Sequence, residues 1–240
     1  MGRALSVTTI DFRRLLSKDI NQKPVIMKRM ALTAVLGLFI LSCSKETIVG
    51  SGNLVSEERE VSSFGRISND GIIDLDFTLG DTDFVQITAD DNIIDKVRTR
   101  VVNGELLLDL DGDSFRDIQV KATITGTRLK GFRNTGTGNA VVRSITGEDN
   151  FTLFNSGTGN IELGGDAVSL MLENEGSGDI KAFNLVVQEA DITLIGSGNC
   201  ELTCTDAMNV YIEGSGNVYY KGNPSIQVQV EGSGEVIDSN

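Results

Sequence analysis

The chain has 240 residues, 40% hydrophobic but only 5% aromatic, with 27 Gly, 2 Pro, 3 Cys, no Trp and no His. That is enough apolar material for a sizeable core and too few Cys for a disulfide-built scaffold, and without His no Ser-His-Asp or Cys-His nucleophile system can be built. The formal net charge is −13, and beyond residue 43 there are 32 acidic against 14 basic residues, a field that repels phosphates and leaves nucleic acid out as a partner.

In chain order, residues 1–26 read either as a mis-called extension or as a long n-region. Met27-Lys28-Arg29 is basic, and Ala31 to Leu41 is a mostly apolar run of eleven residues. Such a run is too short to span a bilayer comfortably and suits the core of a signal peptide. It ends in Ile40-Leu41-Ser42-Cys43, which resembles a bacterial lipobox, where a small residue precedes the Cys that becomes lipidated. The expectation is a lipoprotein signal peptide over 27–43, translation from Met27 or Met30, a lipid on Cys43 and a tether over 44–52. An ordinary secretory peptide with a chance Cys is the alternative.

From 53 to about 131, "GIIDLDFTLG", "DFVQITAD" and "GELLLDLDG" alternate as strands do, "DNIIDKV" fits one helical turn, and Asn103-Gly104 is a hairpin signal. This region is expected to form the β cap and first coils of the unit that follows, a separate small β domain being the alternative.

From 132 to 240 a tetrad recurs: Gly136-Thr-Gly-Asn139, Gly157-Thr-Gly-Asn160, Gly176-Ser-Gly-Asp179, Gly196-Ser-Gly-Asn199, Gly214-Ser-Gly-Asn217 and Gly232-Ser-Gly-Glu235. The intervals are 21, 19, 20, 18 and 18 residues, a period that marks a repeat architecture. Gly50-Ser-Gly-Asn53 falls out of phase with this series. Two residues after each second Gly come Ala140, Ile161, Ile180, Cys200, Val218 and Val236. Four residues before each first Gly come Phe132, Leu153, Leu172, Ile192, Val210 and Val228. Period-two alternation on both sides of a Gly corner gives strands with one buried face. Matched columns stacked at about 4.8 Å give an all-β fold, a right-handed parallel β-helix of six coils of roughly 20 residues. Glycine at the corner fits either φ > 0 or an approach of coils that a Cβ would obstruct. Asn134, Asn155 and Asn174 share one inward column, where stacked amides can form a structural ladder or bond the turn backbone.

The ordered set "FGRISNDGIIDLDF", "VQITADDNIIDKV", "NGELLLDL", the GSGN/GSGD series and "GSGNVYYKGNPSI" resembles the auto-transporter adhesin head GIN domain family of bacterial surface lipoproteins, over roughly 60–236. The resemblance implies a right-handed parallel β-helix, a cell-envelope location as a surface-exposed outer-membrane lipoprotein, and an adhesive role. One departure is "ISNDGIID", where the family usually carries a small neutral residue near Asp70.

No catalytic set, cofactor or metal site is expected. Cys200 and Cys204 fall inward on one strand, about 13 Å apart if extended, and read as buried thiols. Asp109, Asp111 and Asp113 begin like a calcium loop, but Gly112 is at the fourth position and Val120 at the twelfth, so a solvated turn fits better. The pairs Asp74 with Asp76, Asp81 with Asp83 and Asp90 with Asp91 leave a polysaccharide lyase or hydrolase as the alternative to a non-catalytic binding module. Its sugar-stacking groups would be Tyr211, Tyr219 and Tyr220 alone. The expected partners are the membrane, through Cys43, and an extended glycan or surface protein; the sequence does not set the oligomeric state.

Overall fold

A computed structural model of the chain describes residues 47–112 and 114–240. Cys43 and every other reading made on residues 1–46 lie outside the described residues, as does Asp113.

The first strands are β1 (Ile48–Val49), β2 (Leu54–Arg59), β3 (Arg66–Asn69), β4 (Asp74–Leu79) and β5 (Phe84–Asp90). A 3-10 turn at Ile94–Lys96 leads to β6 (Val97–Val102), β7 (Glu105–Leu110), β8 (Phe115–Arg116) and β9 (Val120–Gly126). The tetrad region supplies β10 (Gly131–Asn134) and four long bent strands, β11 (Ala140–Asn155), β12 (Ile161–Asn174), β13 (Ile180–Gly196) and β14 (Cys200–Gly214). It finishes with β15 (Val218–Lys221), β16 (Ser225–Val230) and β17 (Val236–Asp238).

Each long strand pairs in parallel with the next. Ala140 lies on Ile161, Ile161 on Ile180, Ile180 on Cys200, Cys200 on Val218 and Val218 on Val236. The columns read from the sequence are therefore the register of an all-β parallel solenoid, with about five coils instead of six. The last tetrad begins a coil that only β17 continues, so it adds a corner without closing a turn. Each coil has a short side after the tetrad, a bend where the register shifts, and a long side such as Asn150–Asn155, Ser169–Asn174 and Glu189–Leu194.

Spatial order departs from chain order at the N-terminal end. β3 lies between β7 and β10, and β4 between β9 and β11, all in parallel. The coil made by 66–79 is thus inserted between one made later in the chain and the tetrad region. The intervening strands fold back antiparallel: β5 on β9 and β2, and β6 on β7 through the Asn103-Gly104 turn, both residues at positive φ (51° and 74°). Antiparallel neighbours need no crossover, so they can finish a stack whose end would otherwise expose its core.

Residues 47–53 are fastened to this cap. β1 pairs with β8, and the out-of-phase Gly50–Asn53 tetrad wraps around Asp90, Asp91 and Asn92. The buried Asp90 carboxylate accepts from the Gly52 and Gln119 backbone amides, each at 2.7 Å. Asp91 accepts from Ser51 Oγ (2.6 Å) and Asn53 Nδ2 (2.8 Å), bonds that hold its carboxyl below the usual range. Much of the segment expected as tether is therefore part of the fold.

The buried column Phe132, Leu153, Leu172, Ile192 and Val210 runs through the core as expected. Val228 does not complete it. It is 50% exposed, and Val230 is 41% exposed, because β16 is the last long-side strand and no described coil covers it.

Candidate functional site

The corners explain the tetrad residue by residue. A Cβ on Gly136 would strike the carbonyl of Gly71, one on Gly157 that of Gly136, and one on Gly176 that of Gly157. The second glycines are equally closed: Gly159 lies against the carbonyl of Gly138 and Gly178 against that of Gly159. Close approach of coils, not backbone twist, is the common reason for glycine here.

In the first five tetrads of the series the fourth residue is Asn or Asp, because its side chain bonds the coil above it. Asn139 Oδ1 accepts from the Asn160 amide (3.0 Å), Asn160 Oδ1 from Asp179 (2.9 Å), and Asp179 Oδ1 from Asn199 (2.9 Å). Asn199 and Asn217 continue the series to Glu235. Asp74 begins it by accepting from Asn139 at 2.8 Å.

Asn134, Asn155 and Asn174 form the inner ladder, and the structure adds a fourth rung, Asn69. Nδ2 of Asn69, Asn134 and Asn155 donates to Oδ1 of the next rung at 3.1, 3.1 and 3.0 Å. All four side chains are buried. The signal for Asn69 was present, since Asn69-Asp70-Gly71 matches Asn134-Thr135-Gly136, but Ile73 stands where the second Gly would be. The ladder is bounded by Leu108 below and Leu194 above, and Asn69 Oδ1 is left without a partner.

Most of the residues considered for chemistry are occupied by the fold. Asp109 pairs with Arg98 and with Arg100 Nη1 (2.8 Å), and Asp111 with Arg98 (3.2 Å), so arginines neutralise the calcium-like turn. Asp76 pairs with Arg143, and Asp83 accepts from the Thr127 amide at 3.0 Å. Cys200 and Cys204 are free, buried thiols; burial pushes Cys200 up to about 12 and also raises Cys204. Tyr211 is on the long side, Tyr219 on the short side, and Tyr220 packs against the core, so they share no platform.

What the fold leaves unassigned is the outer face of the long side. Eight parallel strands, β7, β3, β10, β11, β12, β13, β14 and β16, form it, with β6 added antiparallel. Eight spacings of about 4.8 Å give roughly 38 Å of continuous flank. Three shallow depressions follow one another along it, the first around Arg133, Phe154 and Glu173, the second around Asn150, Met171 and Asp191, the third around Asn209, Tyr211 and Gln229. Gly131 contributes no side chain between Arg66 and Thr152, which notches the first. Met171 is 61% exposed at the centre. Arg133 stacks on Phe154 at 4.1 Å from the ring centre. Burial and the neighbouring Glu175 carboxylate push Glu173 above the usual carboxylate range, while Arg133 pulls it down.

Charge is graded along the rod. Residues 47–143 hold 11 basic and 16 acidic side chains, whereas 144–240 hold 2 basic and 15 acidic. Toward β16 the flank therefore offers acceptors, amides and exposed apolar atoms, with little to attract an anion.

Comparison with known proteins is consistent with this architecture. A crystal structure described as a putative adhesin from Bacteroides fragilis superposes with a TM-score of 0.66 at 24% identity, covering 80% of this chain and all of that one. One described as a putative lipid binding protein from Parabacteroides distasonis gives 0.53 at 21% identity, and a putative adhesin from Parabacteroides merdae 0.50 at 20%, each covering 81% of this chain and all of its own. At such identities the likeness concerns the fold. A search of curated proteins gives no match. The family model described as "Putative auto-transporter adhesin, head GIN domain" matches residues 63–224, and the chain belongs to that family.

Proposed function

We propose that the chain is a non-catalytic adhesion module of the cell envelope, held at the outer membrane by a lipid on Cys43 and binding an extended partner, a glycan chain or a surface protein, along its long-side flank. The observation that carries this reading is the flank itself: about 38 Å of continuous, mostly parallel sheet whose outward residues answer to no requirement of the core or corners. Family membership supports an adhesive role. The carboxylates considered for sugar chemistry support it too, since Asp76, Asp83 and Asp90 are engaged in ion pairs or backbone hydrogen bonds of the fold instead of converging on one cavity.

The test is a binding screen of the purified chain against neutral and uronate-containing polysaccharides and envelope proteins, with Met171→Glu and Tyr211→Ala as flank variants. Binding lost in both variants, with no turnover, is expected. Turnover abolished by replacing one Asp or Glu would replace this reading with an enzymatic one. For the anchor, Cys43→Ser is expected to release the protein or leave an unprocessed precursor; labelled palmitate persisting on that variant would refute lipidation at Cys43.

A further inference from the structure

The two ends of the solenoid are finished differently. At the N-terminal end the edge strands are β2 and β6, which carry Glu57, Glu58 and Arg59 in one and Arg98 and Arg100 in the other. Charges on an edge are the usual protection against pairing with another chain. At the opposite end, among the described residues, β16 pairs with β14 alone and its other edge is open. Its sequence, Ser-Ile-Gln-Val-Gln-Val, has no charge, no Pro and no Gly, and is rich in β-branched residues. Ile226, Val228 and Val230 point along the core column with no coil above them, and Val228 and Val230 are 50% and 41% exposed.

We propose that this edge is closed by a second copy of the chain, two solenoids meeting end to end with β16 antiparallel to β16 about a two-fold axis. The strand is self-complementary in one register. Inward residues must oppose inward residues, since a one-residue slip would exchange the faces. Centring the pair on Val228 sets Val228 against its own equivalent, Ile226 against Val230, Gln227 against Gln229 and Ser225 against Glu231. Apolar faces apolar, amide faces amide, and the one charge meets a hydroxyl. The register centred on Gln227 would instead oppose Val230 to Pro224, which has no N–H for the ladder. Such a contact is isologous and closes at two copies, because the far ends carry charged edges. Glu231, Glu235 and Asp238 flank the junction in both copies, so screening by salt should tighten it.

The geometry has a functional consequence that rests on the lipid-anchor reading. The N-terminal segment is fastened at the cap through Gly50–Asn53, at the end opposite β16. In the dimer the two Gly50–Asn53 clasps would lie at opposite ends of a rod on the order of 80 Å long, so that two lipid anchors a few residues before them could join two membranes.

The experiment is sedimentation equilibrium of the chain from Ser44 onward, which keeps every described strand and the whole core, over a wide concentration range at low and high salt. A reversible dimer that tightens with salt is expected, and Val228→Lys should abolish it while leaving the melting temperature measured at high dilution, where wild type is also monomeric, unchanged. Oxidation provides a second, register-specific readout: Val228→Cys should cross-link two copies and Ser225→Cys should not. A monomer under all conditions, a dimer indifferent to Val228→Lys, or cross-linking equal at both positions would overturn the proposal. Vesicle bridging by the lipidated full chain tests the consequence separately. Its failure alongside an intact solution dimer would count against the anchor and leave the β16 contact standing.

Discussion

Asn155→Asp is the most incisive single change, because it keeps the shape of a ladder rung and alters only its hydrogen-bonding direction. Asn155 is fully buried; its Oδ1 accepts from Asn134 Nδ2 at 3.1 Å and from the Gly157 amide at 3.4 Å, and its Nδ2 donates to Asn174 Oδ1 at 3.0 Å. An aspartate keeps the two accepting bonds but sets an oxygen against Asn174 Oδ1. Turning the Asn174 amide would relieve that contact only by breaking its own 3.0 Å bond to Gly178 O and facing the Gly176 amide with a donor. The carboxyl therefore favours its protonated form, which can donate upward as Nδ2 did. Full burial raises carboxylate pKa values by up to about 3–5 units; the two donors that remain argue for the lower end. At about 1.36 kcal/mol per unit, the variant should lose about 4 kcal/mol near neutral pH, a large share of a domain's usual 5–15. The sign follows from linkage. With the folded pKa above the unfolded one, the penalty grows as pH rises through that window and fades as pH falls toward about 4. Urea unfolding of wild type and variant at several pH values measures it. A difference below about 1 kcal/mol near neutrality, or one that does not shrink on acidification, would refute the ladder as a directional hydrogen-bonded element.

Gly157→Ala should destabilise by about 3 kcal/mol or more, since its Cβ would meet the backbone of Gly136, whereas Gly147→Ala, at φ 70° in open space, should cost only about 1–2; chemical denaturation of the two variants compares them. Leu172→Asp places an unpaired charge in the core column and should unfold the rod, read by loss of the β circular-dichroism signal. Neither Cys200 nor Cys204 should react with a thiol reagent near pH 8 until denaturant is added, and ionisation of Cys200 only in the unfolded chain should lower stability from about pH 9 toward about 12. Because burial and Glu175 hold Glu173 above the usual range, its penalty is complete above that window; Glu173→Gln should raise the melting temperature near neutral pH and change little in acid.

The repeat was legible because each structural demand falls on one column and recurs. Buried strand positions and corner glycines could be read by alignment of the tetrads alone. The inserted coil could not: residues 66–79 pair with β7 and β9, which come later in the chain, and no local pattern encodes that order. Asn69 escaped because its corner has Ile73 in place of a glycine, and the docking of Gly50–Asn53 because its partners Asp90 to Asn92 are some forty residues away. The reason for Asn or Asp at the end of the first five tetrads of the series needed the coil above, since the side chain bonds a residue 18–21 positions on. The flank was legible only as what remained.

That remainder has a pattern of its own. Where the fold imposes a demand, the repeats agree: Gly157, Gly176 and Gly196 each meet a carbonyl of the coil below, and Leu153, Leu172 and Ile192 fill one column. On the outer flank they disagree, with Thr152, Met171, Asp191, Asn209 and Gln227 following one another in a single register. A face under purely structural control would repeat as the inside does, so its variety is free to serve recognition. The last corner differs in a telling way. Asn217 Oδ1 accepts from the Glu235 amide, but Glu235 stands where every earlier tetrad has the Asn or Asp that bonds a coil above. The side chain of that column lengthens by one methylene next to the coil in which β16 offers an uncharged, open edge. A β16 from a second copy, pairing on the long side, asks nothing of that corner.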